Sequence, residues 1–227
     1  MGNELDKKTK NENICVNAFF AFISAAAILN IIESLVKLYL RSNINDKMRL
    51  STYQSYLGRS NITILLIVFI ICVIVVRKAD YYAAHIKPML LIWGVILIGV
   101  RSIYEITSII YTDTISRIFD VSSNEQYAYI YNSTHGFKYL GMMVALILGA
   151  IMTGIMLKTR RLILYSVLVM LYFIGAFTLL HMYTLRLDFI GKTVGIVWTA
   201  VIYHLSESVG LLILAFYVRV RYYVKSS

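Results

Sequence analysis

The chain holds one proline, Pro88, among 227 residues, two cysteines, and only 15% charged residues. Soluble domains carry about 25% charged residues and about 5% proline, so a soluble globular core is excluded. Cys15 and Cys72 are too few for a disulfide framework and form no C-x-x-C metal motif. Catalytic signatures are missing as well: the sequence has no Walker loop, no G-x-G-x-x-G, no G-x-S-x-G elbow and no H-E-x-x-H. Its four histidines, His85, His135, His181 and His204, fall on separate segments, which argues against paired haem ligation. Neither a cofactor nor a metal is expected. A cleavable signal peptide is not expected either, because the N-terminus is polar and mixed in charge up to Asn13. Met1-Gly2-Asn3 opens like a myristoylation signal, but Asp6 stands where Ser or Thr belongs.

What the chain has is apolar length. Hydrophobic residues make up 59% of it, and they gather into runs that approach or exceed the roughly 20 residues a helix needs to cross a bilayer core about 30 Å thick. Six spans are expected, at about 14–40, 62–76, 89–111, 137–157, 162–185 and 194–218, forming one membrane domain over 14–218. A polar N-terminus, 1–13, and a basic tail, 219–227, flank it. The expected fold is therefore all-α, a polytopic helical bundle in a lipid bilayer, at the plasma membrane or endoplasmic reticulum if the cell is eukaryotic. The formal charge of +10 does not imply nucleic acid, since the basic residues punctuate the apolar runs instead of forming a patch.

Lys and Arg accumulate on the cytoplasmic side of membrane proteins. The N-terminus, the second-to-third loop, the turn Lys158-Thr159-Arg160-Arg161 and the C-terminus together hold twelve, against seven in the other three loops. Both termini are thus expected in the cytoplasm. Two N-x-[ST] tripeptides, at Asn61 and Asn132, fall in loops that this topology puts on the opposite side, and are candidate glycosylation sites.

Ionisable residues inside a span cost about 2.5–3.5 kcal/mol each at mid-bilayer and so mark bundle interiors or functional sites. In the third span Arg101, Tyr104, Glu105 and Ser108 share one helical stripe. They form either an internal Arg101–Glu105 ion pair that fixes helix rotation or part of a polar pocket for an amphiphile headgroup or an ion. In the sixth span Tyr203, His204, Glu207 and Ser208 form a second stripe, with His204 and Glu207 spaced as a proton-relay pair or as a structural hydrogen bond. Glu33 and Lys37 read as an i,i+4 pair near the interface. The fourth span repeats small residues at Gly141, Ala145, Gly149 and Thr153, a spacing that admits another helix, from the same chain or from a second copy or membrane partner.

Two family resemblances follow from particular residues. Arg101-Ser102-Ile103-Tyr104 followed by Glu125-Gln126-Tyr127-Ala128-Tyr129-Ile130-Tyr131-Asn132 resembles the late part of the fungal RTA-like lipid-translocating exporters over about a quarter of the chain. Glu105, Ser108 and Asn132 stand where that family has arginine, glutamate and aspartate. The resemblance implies a protein that moves or binds sphingoid bases, sterols or similar amphiphiles, with Arg101, Tyr104, Glu125 and Tyr129 at the matching positions. In length, span count and cytoplasmic termini the chain also resembles the six-span androgen-induced fatty-acid-ester hydrolases. That second likeness implies a Thr63 nucleophile with a His135 base. The leading expectation is a membrane protein that binds or translocates a small amphiphile or ion; the alternatives are an intramembrane hydrolase and a non-catalytic accessory or assembly subunit.

Overall fold

The computed structural model describes residues 2–44, 47–79, 86–118, 141–161 and 189–223, together with 164, 167, 169 and 170. Among them the chain is helical and contains no strand. Helix α1 spans Gly2–Asn43, α2 Lys47–Lys78 and α3 Ile86–Gly94, which runs through a π-helical stretch, Val95–Val100, into α4, Arg101–Ile118. Helix α5 covers Gly141–Met156 and α6 covers Phe189–Tyr223. Three of these segments are long and apolar enough to cross a membrane: Thr9–Asn43, Thr52–Lys78 and Ile86–Thr107. At 1.5 Å per residue the 27 residues of the second extend about 40 Å, more than the hydrocarbon core requires.

Helices α1 and α2 extend far beyond the apolar runs that announce them. Residues 47–61, expected in a loop, are the first turns of α2, so Arg49 and Arg59 lie on a helix. Hydropathy falls there but helix propensity does not, because the stretch has no proline and one glycine. Its hydroxyls bond back along the helix, Ser60 Oγ to the Tyr56 carbonyl and Thr63 Oγ1 to that of Arg59, each at 2.9 Å. Helix α1 likewise starts at Gly2, within the polar N-terminal segment. Pro88 sits in the first turn of α3, where its missing N–H costs no helical bond. The fifth expected span lies almost entirely outside the described residues.

Helix α1 is the centre of the bundle, packed against α2, α3 and α6. Ala18, Ala26 and Ala27 are buried on it, and such small side chains let neighbouring backbones approach closely. Phe20 meets Phe216 of α6 edge-on at 5.2 Å between ring centroids, and Arg219 stacks over the Phe20 ring. Ten residues further along α1, Asn30 is joined through Arg101 to Glu207. Helices α1 and α6 are therefore antiparallel, with the start of α1 and the end of α6 at one end of the bundle. That end is called terminal below, and the opposite one distal. Phe22 against Phe69 and Glu33 against Asn61 make α1 and α2 antiparallel too. Outward, α2 presents exposed Ile64, Leu66, Ile67, Ile70, Ile71 and Ile74, a surface suited to lipid.

The small-residue face of α5 has its neighbour within the chain. Tyr104 rests on Gly141, Ile96 and Trp93 cover Gly149, and Trp93 Nε1 donates to Thr153 Oγ1 at 2.9 Å. A Cβ on Gly149 would run into Ile96, so Gly149→Leu is expected to destabilise the single chain by about 1–3 kcal/mol through overpacking. Thermal unfolding in detergent with parallel sizing checks this: a changed association state at unchanged melting temperature would refute it.

Helix α5 closes in a Schellman turn. Lys158 N–H donates to the Ile155 carbonyl at 3.1 Å and Thr159 N–H to that of Gly154 at 3.0 Å, with Lys158 at φ 51°. That left-handed position usually belongs to glycine. The turn is tied to α6, where Thr159 Oγ1 lies 3.2 Å from the Tyr217 hydroxyl, which also accepts from Arg221 Nη1 at 3.0 Å. Lys158→Gly is expected to raise stability by roughly 0.5–1 kcal/mol, read as a higher melting temperature.

Candidate polar site

The interior divides along its length. Toward the terminal end it is apolar, filled by Val16, Phe19, Phe22, Ile23, Met89, Leu90, Trp93 and Leu97, each at most 1% exposed. Distal to these lie the buried polar residues Asn30, Glu33, Ser34, Asn61, Arg101, Glu105, His204, Glu207 and Ser208. Asn30, Asn61 and Arg101 stand at matching heights, each about four residues, roughly 6 Å, beyond the middle of its span.

Arg101 holds this level together. Its Nη2 donates to Asn30 Oδ1 at 2.6 Å and lies 3.6 Å from Glu207 Oε1. On the other oxygen of Glu207, Oε2 is 3.9 Å from His204 Nδ1. One turn along α4, the Glu105 carboxylate lies over Gly58 of α2, where an added Cβ would come within 3.3 Å of its Oε1. Glu33 takes Lys37 Nζ on one oxygen, as the i,i+4 spacing suggested, and Asn61 Nδ2 on the other at 2.7 Å. Asn61 Nδ2 also reaches the Leu29 carbonyl at 3.3 Å. Polar groups from α1, α2, α4 and α6 thus form one cluster, the arrangement by which buried charge is compensated away from water.

The stripes read from the sequence are brought together in part. Arg101, Glu105, His204 and Glu207 face inward and belong to the cluster. Tyr104 instead turns toward α5, onto Gly141. The side chain of Ser108 and that of Tyr203 lie outside the described residues, as do His135, Asn132, Glu125, Tyr129 and His181. Thr63 is exposed on the outer face of α2, its hydroxyl engaged by the Arg59 carbonyl. Asn61, a glycosylation candidate in the sequence, is 4% exposed within α2 and spends its amide on Glu33 and Leu29.

Asn30, Ser34 and the inward role of Asn61 were not foreseen. The signal was present for α1: Asn30, Glu33, Ser34 and Lys37 repeat the i, i+3, i+4, i+7 spacing of the third-span stripe. Asn61→Leu removes a hydrogen bond to a buried carboxylate and is expected to cost about 1.5–3 kcal/mol. A melting temperature equal to that of the parent chain would count against the contact. No protein family, no curated protein of similar sequence and no solved structure of similar fold matches this chain.

Proposed function

We propose that the chain is a six-span membrane protein with both termini in the cytoplasm, which binds or translocates a small amphiphile or ion through the polar site around Arg101. The convergence of Arg101, Asn30, His204 and Glu207 from three helices is the observation that carries this reading. A bundle stabilised only by apolar packing has no need of an arginine, a histidine and a carboxylate at its centre, and intramembrane ionisable groups commonly mark substrate or ion paths. The antiparallel arrangement of α1 and α6, with the turn at Lys158 tied to the end of α6, supports an even number of crossings and termini on one side. A lipid-like cargo accords with the resemblance of the Arg101-Ser102-Ile103-Tyr104 segment to lipid-translocating exporters.

The site would work by exchanging partners. A cargo headgroup offering an acceptor competes with Glu207 for the guanidinium, whose donors are fixed in a planar fork. Such exchange requires the packed cluster to open, because the side chains of Arg101 and Glu207 are 8% and 2% exposed.

The test compares lipid composition and radiolabelled-amphiphile uptake in cells with and without the gene, beside Arg101→Lys and Arg101→Ala strains matched for protein level. The expected result is a gene-dependent difference that falls at least tenfold in Arg101→Ala and is only partly restored by Arg101→Lys, which keeps the charge and loses the fork. Uptake equal in all strains would overturn the proposal.

A further inference from the structure

The terminal half of α6 carries a second surface, away from the Arg101 cluster. Val209, Leu212, Ile213, Phe216 and Val220 share one face of the helix and line an open groove of about 550 Å³ among the described residues. That volume falls within the roughly 300–1,000 Å³ of small-molecule sites. Val209, Phe216 and Val220 are each more than half exposed, so the groove is apolar and uncovered along its length. At 1.5 Å per residue it runs about 17 Å from Val209 to Val220, close to one leaflet, or half of a hydrocarbon core about 30 Å thick.

The terminal end of the groove is polar and positively charged. Tyr217 and Arg221 complete the lining there. The Tyr217 hydroxyl accepts from Arg221 Nη1 at 3.0 Å and lies 3.2 Å from Thr159 Oγ1, which brings the turn after α5 to the mouth of the groove. That turn adds Lys158, Arg160 and Arg161, all exposed. Among the described side chains at this end of the bundle the one carboxylate is Glu12 of α1, which lies near Cys15 and Lys87. An apolar slot one leaflet long thus ends in a set of exposed cations.

The shape and charge together select the occupant. A free anion would leave the apolar lining unused, and a lipid with a neutral headgroup would leave the cations without a counter-charge. A second copy packed alongside in the same orientation would set its own Lys158, Arg160, Arg161 and Arg221 against these, and like charges across an interface are strongly disfavoured. A lipid with an anionic headgroup meets both demands.

We propose that the face of α6 from Val209 to Arg221, with the turn Lys158-Thr159-Arg160-Arg161, binds one anionic phospholipid, an acyl chain in the groove and the phosphate at Arg221, Arg160 and Arg161. Guanidinium suits this role because its planar fork meets two phosphate oxygens at once. Basic pockets at the cytoplasmic ends of membrane helices recognise anionic headgroups in the same way, and the topology proposed above puts this end in the cytoplasm. The inference rests on the reading of α6 as a membrane span and not on the Arg101 site.

The test titrates the full-length protein in detergent micelles with dioleoyl phosphatidylglycerol or dioleoyl phosphatidylcholine, which share their chains and differ in headgroup charge, and reads bound lipid by native mass spectrometry. The parent chain is expected to bind its first phosphatidylglycerol at least about tenfold more tightly than phosphatidylcholine. Combining Arg160→Ala, Arg161→Ala and Arg221→Ala is expected to abolish that preference. Ile213→Trp, which fills the groove and keeps every cation, is expected to weaken phosphatidylglycerol binding by about tenfold. Arg77→Ala with Lys78→Ala removes two exposed cations from the end of α2, outside the groove, and is expected to leave the preference intact. Equal affinity for the two lipids in the parent, or a preference lost equally in the Arg77 and Lys78 variant, would overturn the site. A dimer that forms in exchange for bound lipid would overturn it too, and would assign the groove to a second copy. Val209→Cys in lipid nanodiscs separates this inference from the span reading beneath it. Labelling by a membrane-impermeant maleimide above that of the parent, whose two cysteines are buried, would remove α6 from the bilayer and the site with it. Protection of Val209→Cys without a headgroup preference would sink the lipid site alone.

Discussion

A guanidinium placed in the inner half of a membrane bundle imposes a requirement that one helix cannot meet. The insertion cost of about 2.5–3.5 kcal/mol falls only when acceptors and counter-charges surround it. Glu105 follows Arg101 by one turn on α4 itself, yet the guanidinium also donates to Asn30 of α1 and pairs with Glu207 of α6. Those contacts fix the relative height of three helices. The same requirement spreads: Glu33, brought inward on α1, needs Lys37 and Asn61, and Asn61 sets the height of α2. Much of the bundle's register is therefore a consequence of accommodating one cation.

Burial of charge also explains why the interior is divided. Apolar packing between helices is not favoured over lipid contact by hydrophobicity alone, so the terminal half depends on close fit. It achieves that with buried alanines on α1, and with Gly94 and Gly149 receiving Phe69, Ile96 and Trp93. The distal half exchanges that fit for directed bonds. Two kinds of cohesion thus meet at the level of Leu97 and Arg101.

Much of this was legible in the sequence, and what was not has definite causes. Apolar length pointed to membrane helices, of which three among the described residues are long and apolar enough to cross a bilayer, and the cost of burying charge singled out Arg101, Glu105, His204 and Glu207 as inward-facing. Periodicity, however, tells which residues share a face and not which helix that face meets. Asn30 and Asn61 carry no charge and so raised no alarm, although each satisfies a buried ion. The four-residue repeat on α5 left its neighbour open, and only the fold shows it to be Tyr104, Ile96 and Trp93 of the same chain. Residues 47–61 read as a loop because a hydropathy average drops with every polar side chain, whether or not the backbone remains helical.

The π-helical stretch Val95–Val100 connects the two halves physically. Trp93, Leu97, Arg101 and Glu105 are all buried and stand four residues apart. In an α-helix of 3.6 residues per turn each such step rotates about 40°, so three steps would carry Glu105 about 120° from Trp93 and turn it toward lipid. Hydrogen bonds of i→i+5 type widen the turn and reduce that rotation. The stretch falls between Trp93 and Arg101, where the correction is needed to keep the aromatic wall and the charged cluster on one side. The departure from regular α-helical hydrogen bonding thus falls at the level where apolar packing gives way to ionic contacts, and it lets one helix present both to the same interior.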